Sequence, residues 1–296
     1  LAQNAGAPDV VAPDDSVLHK DMPSVRWLEP FFLRNGGGGG IEWEDVGLRC
    51  GELASYSERV LAETSLIGYW PLSDAGVPMA DMSGHSHPLP IVSSSPPTFR
   101  VPGPMPGTTY PYAMLSNGTH GGSGVLQQVS RNDSADGAYW TFLSSAPVTF
   151  EAWIYLPTAI WPSNPATFPT LPIMSVGAGA GGGLLLYTVG GGYPPASGYQ
   201  RLLWGNAIGG LTLNFDQWIH VAATRDGTTD RIYYNAALEG SAPTASMSAT
   251  TVQVHVGGHF FTGSSTSESF NGRIAHVAIY NVALTAAQLE NHIAGA

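Results

Sequence analysis

Hydrolysis of a glycosidic bond needs two carboxylates flanking one site, so the acidic side chains come first. Glu42 and Glu44 alternate within Ile41-Glu42-Trp43-Glu44 and would share one face of a short strand. A solvated strand edge explains that pair as well as acid–base work does. Glu151 is the only carboxylate in the alternating run Val148 to Tyr155 and has no partner there. His85 and His87 offer two nitrogen ligands to a soft metal, without a third. Cys50 is the only cysteine, which excludes an intrachain disulfide and a CxxC metal site. Gly36 to Gly40 are five consecutive glycines followed by Ile41-Glu42-Trp43. A phosphate loop would continue with Lys-Ser/Thr, so this run reads as a flexible joint. The sequence carries no serine-hydrolase or zinc-protease signature. No enzyme activity is expected.

Aromatic rings beside polar loops are the other residues with chemistry to offer, because a sugar ring stacks on them. Trp161, Tyr193, Trp204, Phe260 and Phe261 lie in or beside stretches rich in Gly, Ser and Asn. Each is a candidate sugar platform; each equally suits a loop plug or an intersubunit contact. A different cluster, Trp27, Leu28, Phe31, Phe32 and Leu33, sits in an aperiodic acidic arm. Leaving such side chains in water costs up to about 1.5–3 kcal/mol for each large one. They are the candidate anchor, docking either on another chain or back on their own.

Composition narrows the partners. Of the 296 residues 43% are hydrophobic, enough for a sizeable core, and only 11% are charged. A surface so poor in charge suits a chain packed among others. The net charge of −11 repels a phosphate backbone, so nucleic acid is not expected. No apolar run is long enough to span a membrane.

The elements that must position these residues are mostly strands. Residues 1–50 read as an extended arm ending in the glycine joint. Gly51 to Thr64 predicts a lead-in helix, with Leu53, Tyr56, Val60 and Leu61 on one face. From Ile67 onward the pattern is β. Val148 to Tyr155, Trp218 to Arg225, Asp230 to Tyr234, Val252 to Val256 and Arg273 to Tyr280 read as strands. Asp226-Gly227 marks a hairpin, and Asn271-Gly272 likewise reads as turn chemistry. Trp70, Trp153 and Trp218 are expected in the core, and His220 as a satisfied buried histidine. Thr285 and Gln288 form a capping box for a short final helix, with Leu284 and Leu289 as its staple.

Four motifs in order resemble the laminin-G-like domains of the concanavalin A-like superfamily. They are Tyr69-Trp70-Pro71-Leu72 with Ala80-Asp81-Met82-Ser83-Gly84, Val148 to Tyr155, Gln217 to Gly227, and Phe270 to Thr285. The resemblance implies an all-β fold: a two-sheet antiparallel jelly-roll sandwich over residues 67–296, preceded by a lead-in helix at 51–66. It also implies that Asp81 is a calcium ligand. The closing-strand acids that would join it are Ala275 and His276 here, and a hard cation wants several oxygens. No cofactor is therefore expected, with calcium at Asp81 as the exception to test. The paired-acid strand of laminarinase-type relatives is missing.

Two functions follow from different classes. One is a virion structural or decoration protein of a tailed phage, on the tail or capsid surface. It would be anchored by its arm among other virion proteins and its own copies, and display a sandwich that binds cell-surface glycans. The other is a secreted bacterial carbohydrate-binding module or adhesin fragment. In the first case, deleting residues 1–35 is expected to leave a soluble sandwich that no longer incorporates; co-sedimentation with assembled particles measures this.

Overall fold

Alternation along a strand sends odd and even side chains to opposite faces, yet the longest strands here are apolar or buried on both. The reason is that one sheet is covered twice. A computed structural model describes residues 54–90, 95–117, 128–132, 147–158, 171–176, 184–189, 201–210, 213–244, 253–260 and 267–296. The anchor residues Trp27, Leu28, Phe31, Phe32 and Leu33 lie outside them. Residues 54–296 form one compact unit.

Its elements run α1 (Tyr56–Ala62), β1 (Leu66–Trp70), β2 (Thr98–Pro102), β3 (Tyr112–Asn117), β4 (Val129–Asn132) and β5 (Val148–Tyr155). They continue with β6 (Leu171–Val176), β7 (Leu184–Val189), β8 (Arg201–Trp204), β9 (Ala207–Ile208), β10 (Trp218–Arg225) and β11 (Thr229–Tyr234). The last are β12 (Ala237–Pro243), β13 (Gln253–Val256), β14 (Gly258–Phe260), β15 (Ser267–Ser269), β16 (Asn271–Tyr280) and α2 (Ala286–Ile293).

The large sheet has the order β12-β11-β10-β5-β16-β3-β2, with β1 also on β16. The second is β4-β13-β6-β7-β8-β9, and β14 pairs with β15. All pairings among the described residues are antiparallel, which is the expected jelly-roll sandwich. β16 has two partners on one edge. Its first half pairs with β3, Ile274 opposite Met114, and its second half with β1, Val277 opposite Trp70.

Phe150, Ala152 and Ile154 of β5, Ile219, Val221 and Ala223 of β10, and Ile274, Val277 and Ile279 of β16 enter the inner core between the sheets. Trp153, Ala222, Ala275, Ala278 and Tyr280 point the other way, into an outer layer closed by α1 and α2. Both helices have the capping box their sequences predict, Ser55 with Glu58 and Thr285 with Gln288. Leu284 and Leu289 are buried in the outer layer as expected.

Four expectations change. The lead-in helix starts at Tyr56 rather than Gly51, because Ser55 caps it, and Leu61 faces out at 40% exposure. Trp218 is only half-buried; at the end of β10 it packs on the rim of the outer layer, against Tyr155. Trp70 and Trp153 are core, as expected. Asn271-Gly272 opens a strand rather than a turn. A Cβ on Gly272 would lie 2.3 Å from the Tyr155 carbonyl, so the close approach of β5 requires glycine there.

Trp70 is fully buried and its indole N–H donates to the His87 carbonyl at 2.8 Å. Trp70→Ala is expected to destabilise by about 3–5 kcal/mol, read as a shift of the urea midpoint with unchanged slope.

Candidate functional site

Two clusters of polar side chains stand out, one sealed and one open. The sealed one is built on Glu151, which the β5 alternation turns away from the inner core into the outer layer. Glu151 is fully buried. Its Oε1 accepts from the Tyr56 hydroxyl at 2.5 Å and from His220 Nε2 at 3.0 Å. His292 Nδ1 reaches Oε2 at 3.1 Å, and its Nε2 lies 3.4 Å from Glu63 Oε1. One carboxylate thus ties β5 to α1, β10 and α2.

Burial pushes the Glu151 carboxyl up, but the hydrogen bonds from His220 and His292, reinforced by their charge, hold it well below the usual range. The same bonds act on His292, whose pKa is raised although burial opposes it. Burial, then the nearby Glu151 charge, raises the phenols of Tyr56 and Tyr280. Beside this cluster His276 sits at a bulge of β16 with φ +52°. The bulge turns its ring into the outer layer, where Nδ1 shares a 2.7 Å hydrogen bond with the Tyr69 hydroxyl. Burial lowers the His276 pKa to about 4. Glu151 is thus enclosed by partners from three other elements.

The open cluster lies at the β2 edge of the same sheet. The segment 71–82 and the β2–β3 hairpin border a cavity of about 320 Å³, lined by Ser73, Asp74, Arg100, Tyr110 and Tyr112 among others. Leu72, with φ +60° and fully buried, roots the segment. Ser73 Oγ accepts from the Tyr112 amide at 3.1 Å, tying segment to hairpin. Gly103 N–H donates to the Pro111 carbonyl at 2.9 Å and closes the hairpin. The β2–β3 register slips between Thr98 and Val101, and Arg100 there has φ +56°. An arginine in that region is strained, and bulges re-aim side chains. Its guanidinium stands 5.1 Å from the centre of the exposed Tyr112 ring. Burial, then the Asp74 charge, raises the Tyr110 phenol.

The residues singled out from sequence fall elsewhere. Trp204 is fully buried in the inner core, edge-on to Phe150 at 4.8 Å between ring centres. That corrects its reading as a sugar platform, since no face of the ring is free to stack. Phe260 is the last residue of β14; Trp161, Tyr193 and Phe261 lie outside the described residues. Asp81 lies on the described segment after β1: its Oδ1 accepts from the Tyr69 and Ser83 amides at 3.0 and 2.9 Å, and its Oδ2 from the His87 amide at 2.9 Å. Among the described residues no group of three or more His, Cys, Asp or Glu is arranged to hold a metal ion. The sequence did carry a signal for the open cluster, two tyrosines in the Pro/Gly-rich run Pro106 to Tyr112. Nothing in it joins them to Asp74 and Arg100.

A sequence model of laminin G type, described as concanavalin A-like lectin/glucanases superfamily, matches residues 122–290, more than half of the chain. The chain belongs to this superfamily. Solved structures share its fold. Domain 4 of the extracellular arabinanase AbnA from Geobacillus stearothermophilus, in complex with arabinotriose, is 16% identical with a TM-score of 0.52. That match covers 77% of this chain and 98% of the domain. The sialidase of Trypanosoma rangeli in complex with sialic acid is 15% identical with a TM-score of 0.51, over 78% of this chain and 33% of the sialidase. Comparison with curated protein sequences gives no match.

In this concanavalin A-like domain the outer layer makes stability depend on pH in two directions. Between pH 6.5 and about 4 the unfolded chain protonates His276 and the folded one resists, so stability falls as pH drops through that window. The lowered Glu151 pKa deepens the fall below pH 4.5. The raised His292 pKa acts oppositely: its contribution is complete below pH 6.5 and lost as pH rises through the folded value. The melting temperature is expected to peak near pH 6.5, and His276→Asn to flatten the acid limb between pH 6.5 and 4. A series of thermal melts across pH checks both.

Proposed function

We propose that this chain is a non-enzymatic, glycan-binding display module. The observation that carries the reading is the fate of Glu151. The superfamily is described as lectins and glucanases, and the carboxylate best placed on the sheet is buried, ionised and held by Tyr56, His220 and His292. The buried Asp230 likewise forms a two-point ion pair with Arg225, at 2.7 and 2.9 Å. Acids held this way stabilise strands, and neither Glu151 nor Asp230 is free to flank a glycosidic bond. Binding is the lectin half of the superfamily's repertoire, and whole-domain similarity to domain 4 of an arabinanase, solved in complex with arabinotriose, supports it.

The setting we favour is the surface of a virion, tail or capsid, with residues 1–50 as the anchor. It is supported by the low charge and by the apolar cluster Trp27 to Leu33 ahead of a five-glycine joint. Among the described residues no helix is long and apolar enough to cross a membrane. A secreted carbohydrate-binding module is the second reading, favoured by the likeness to the extracellular arabinanase's domain 4.

The purified full chain is expected to bind immobilised oligosaccharides and to release no reducing sugar from β-glucan, arabinan or sialylated substrates. Turnover abolished by Glu151→Gln in a chain that still folds would overturn the non-enzymatic reading.

A further inference from the structure

We propose that the cavity between segment 71–82 and the β2–β3 hairpin is the glycan subsite, and that it takes the terminal residue of a neutral oligosaccharide. The inference rests on the glycan-binding reading and adds a place and a ligand class.

The cavity brings together what a sugar needs. The exposed Tyr112 ring presents an aromatic surface, and the half-buried Tyr110 offers a phenol on the same hairpin. Asp74 supplies carboxylate oxygens that accept hydrogen bonds from hydroxyls, and Arg100 supplies donors for ring or hydroxyl oxygens. These groups come from segments 26 to 38 residues apart, Asp74 to Arg100 and Asp74 to Tyr112, and are held in place by fold-level devices. The Ser73 hydroxyl fixes the backbone of Tyr112. The Asp74 Oδ2 accepts a long 3.4 Å bond from the Ala80 amide. The bulge at Arg100, with φ +56°, interrupts the β2–β3 pairing and sets the guanidinium beside Tyr112 at the cavity.

Size and charge set the class. A volume of about 320 Å³ is at the small end of ligand pockets, which suits one sugar residue rather than a long chain segment. The lining carries one anion and one cation, Asp74 and Arg100. A neutral sugar satisfies both. A sialic or uronic acid would set a second carboxylate near Asp74, in a chain that already carries a net charge of −11.

The test is a printed array of neutral, sialylated and uronic-acid-terminated oligosaccharides, probed with the full chain and with Tyr112→Ala and Asp74→Asn. Both positions are at least partly exposed, and thermal melts verify that the variants fold. The expected result is binding to neutral termini, weakened at least tenfold in both variants, with melting temperatures within a few degrees of the parent's. Undiminished binding by both folded variants would place the glycan elsewhere and overturn the proposal while leaving the glycan-binding reading standing. Strongest binding to acidic termini would overturn the ligand class. Failure of the parent chain to bind any glycan would overturn the glycan-binding reading and this subsite with it.

Discussion

One buried carboxylate governs the outer half of the molecule. Removing an ion from water costs several kcal/mol unless partners of good geometry surround it, and Glu151 is fully buried. Its partners come from three other elements: Tyr56 on α1, His220 on β10 and His292 on α2. Tyr56 and His292 lie 95 and 141 residues from it in the chain. The outer layer therefore closes only when the segment before the first strand and the final helix have both arrived. The two helices are too short to be stable alone in water. Their capping boxes set where they start, and the Glu151 cluster sets where they dock.

The same sheet shows two uses of a break in strand regularity. At His276 the bulge turns a ring inward, gives it Tyr69 as a partner, and lets β16 change neighbours from β3 to β1. At Arg100 the bulge lies on the edge strand and turns a cation toward solvent and an aromatic ring. Both residues adopt positive φ without being glycine, a cost the surrounding pairing must offset. One break seals the layer, and the other shapes the cavity.

Much of the fold is legible in single runs of residues. Thr285 to Leu289 predicts its own helix cap. Asp226-Gly227 predicts its own hairpin, and Asp226 indeed accepts from the Thr228 and Thr229 amides at 2.8 Å. Trp70, Trp153 and His220 are buried as their alternation implies. Trp218 and Trp204 misled because alternation tells which side of a sheet a residue takes but not what lies over that side. Trp218 ends beyond the edge of the helical cover. Trp204, in a glycine-rich stretch, looks like a loop platform until β8 closes over the inner core.

What the sequence determined by itself was therefore local: strands, turns, caps and the superfamily. These depend on interactions between residues a few positions apart, and such interactions are written in spacing. Only the tertiary structure decided that the solitary Glu151 is the hub of a sealed ionic cluster, and that Asp74, Arg100, Tyr110 and Tyr112 share a cavity. The physical reason is the same in both cases. Whether a carboxylate is catalytic, structural or ligand-binding depends on its exposure and on the charges around it. Those are set by side chains that antiparallel pairing and two docked helices bring from distant parts of the chain.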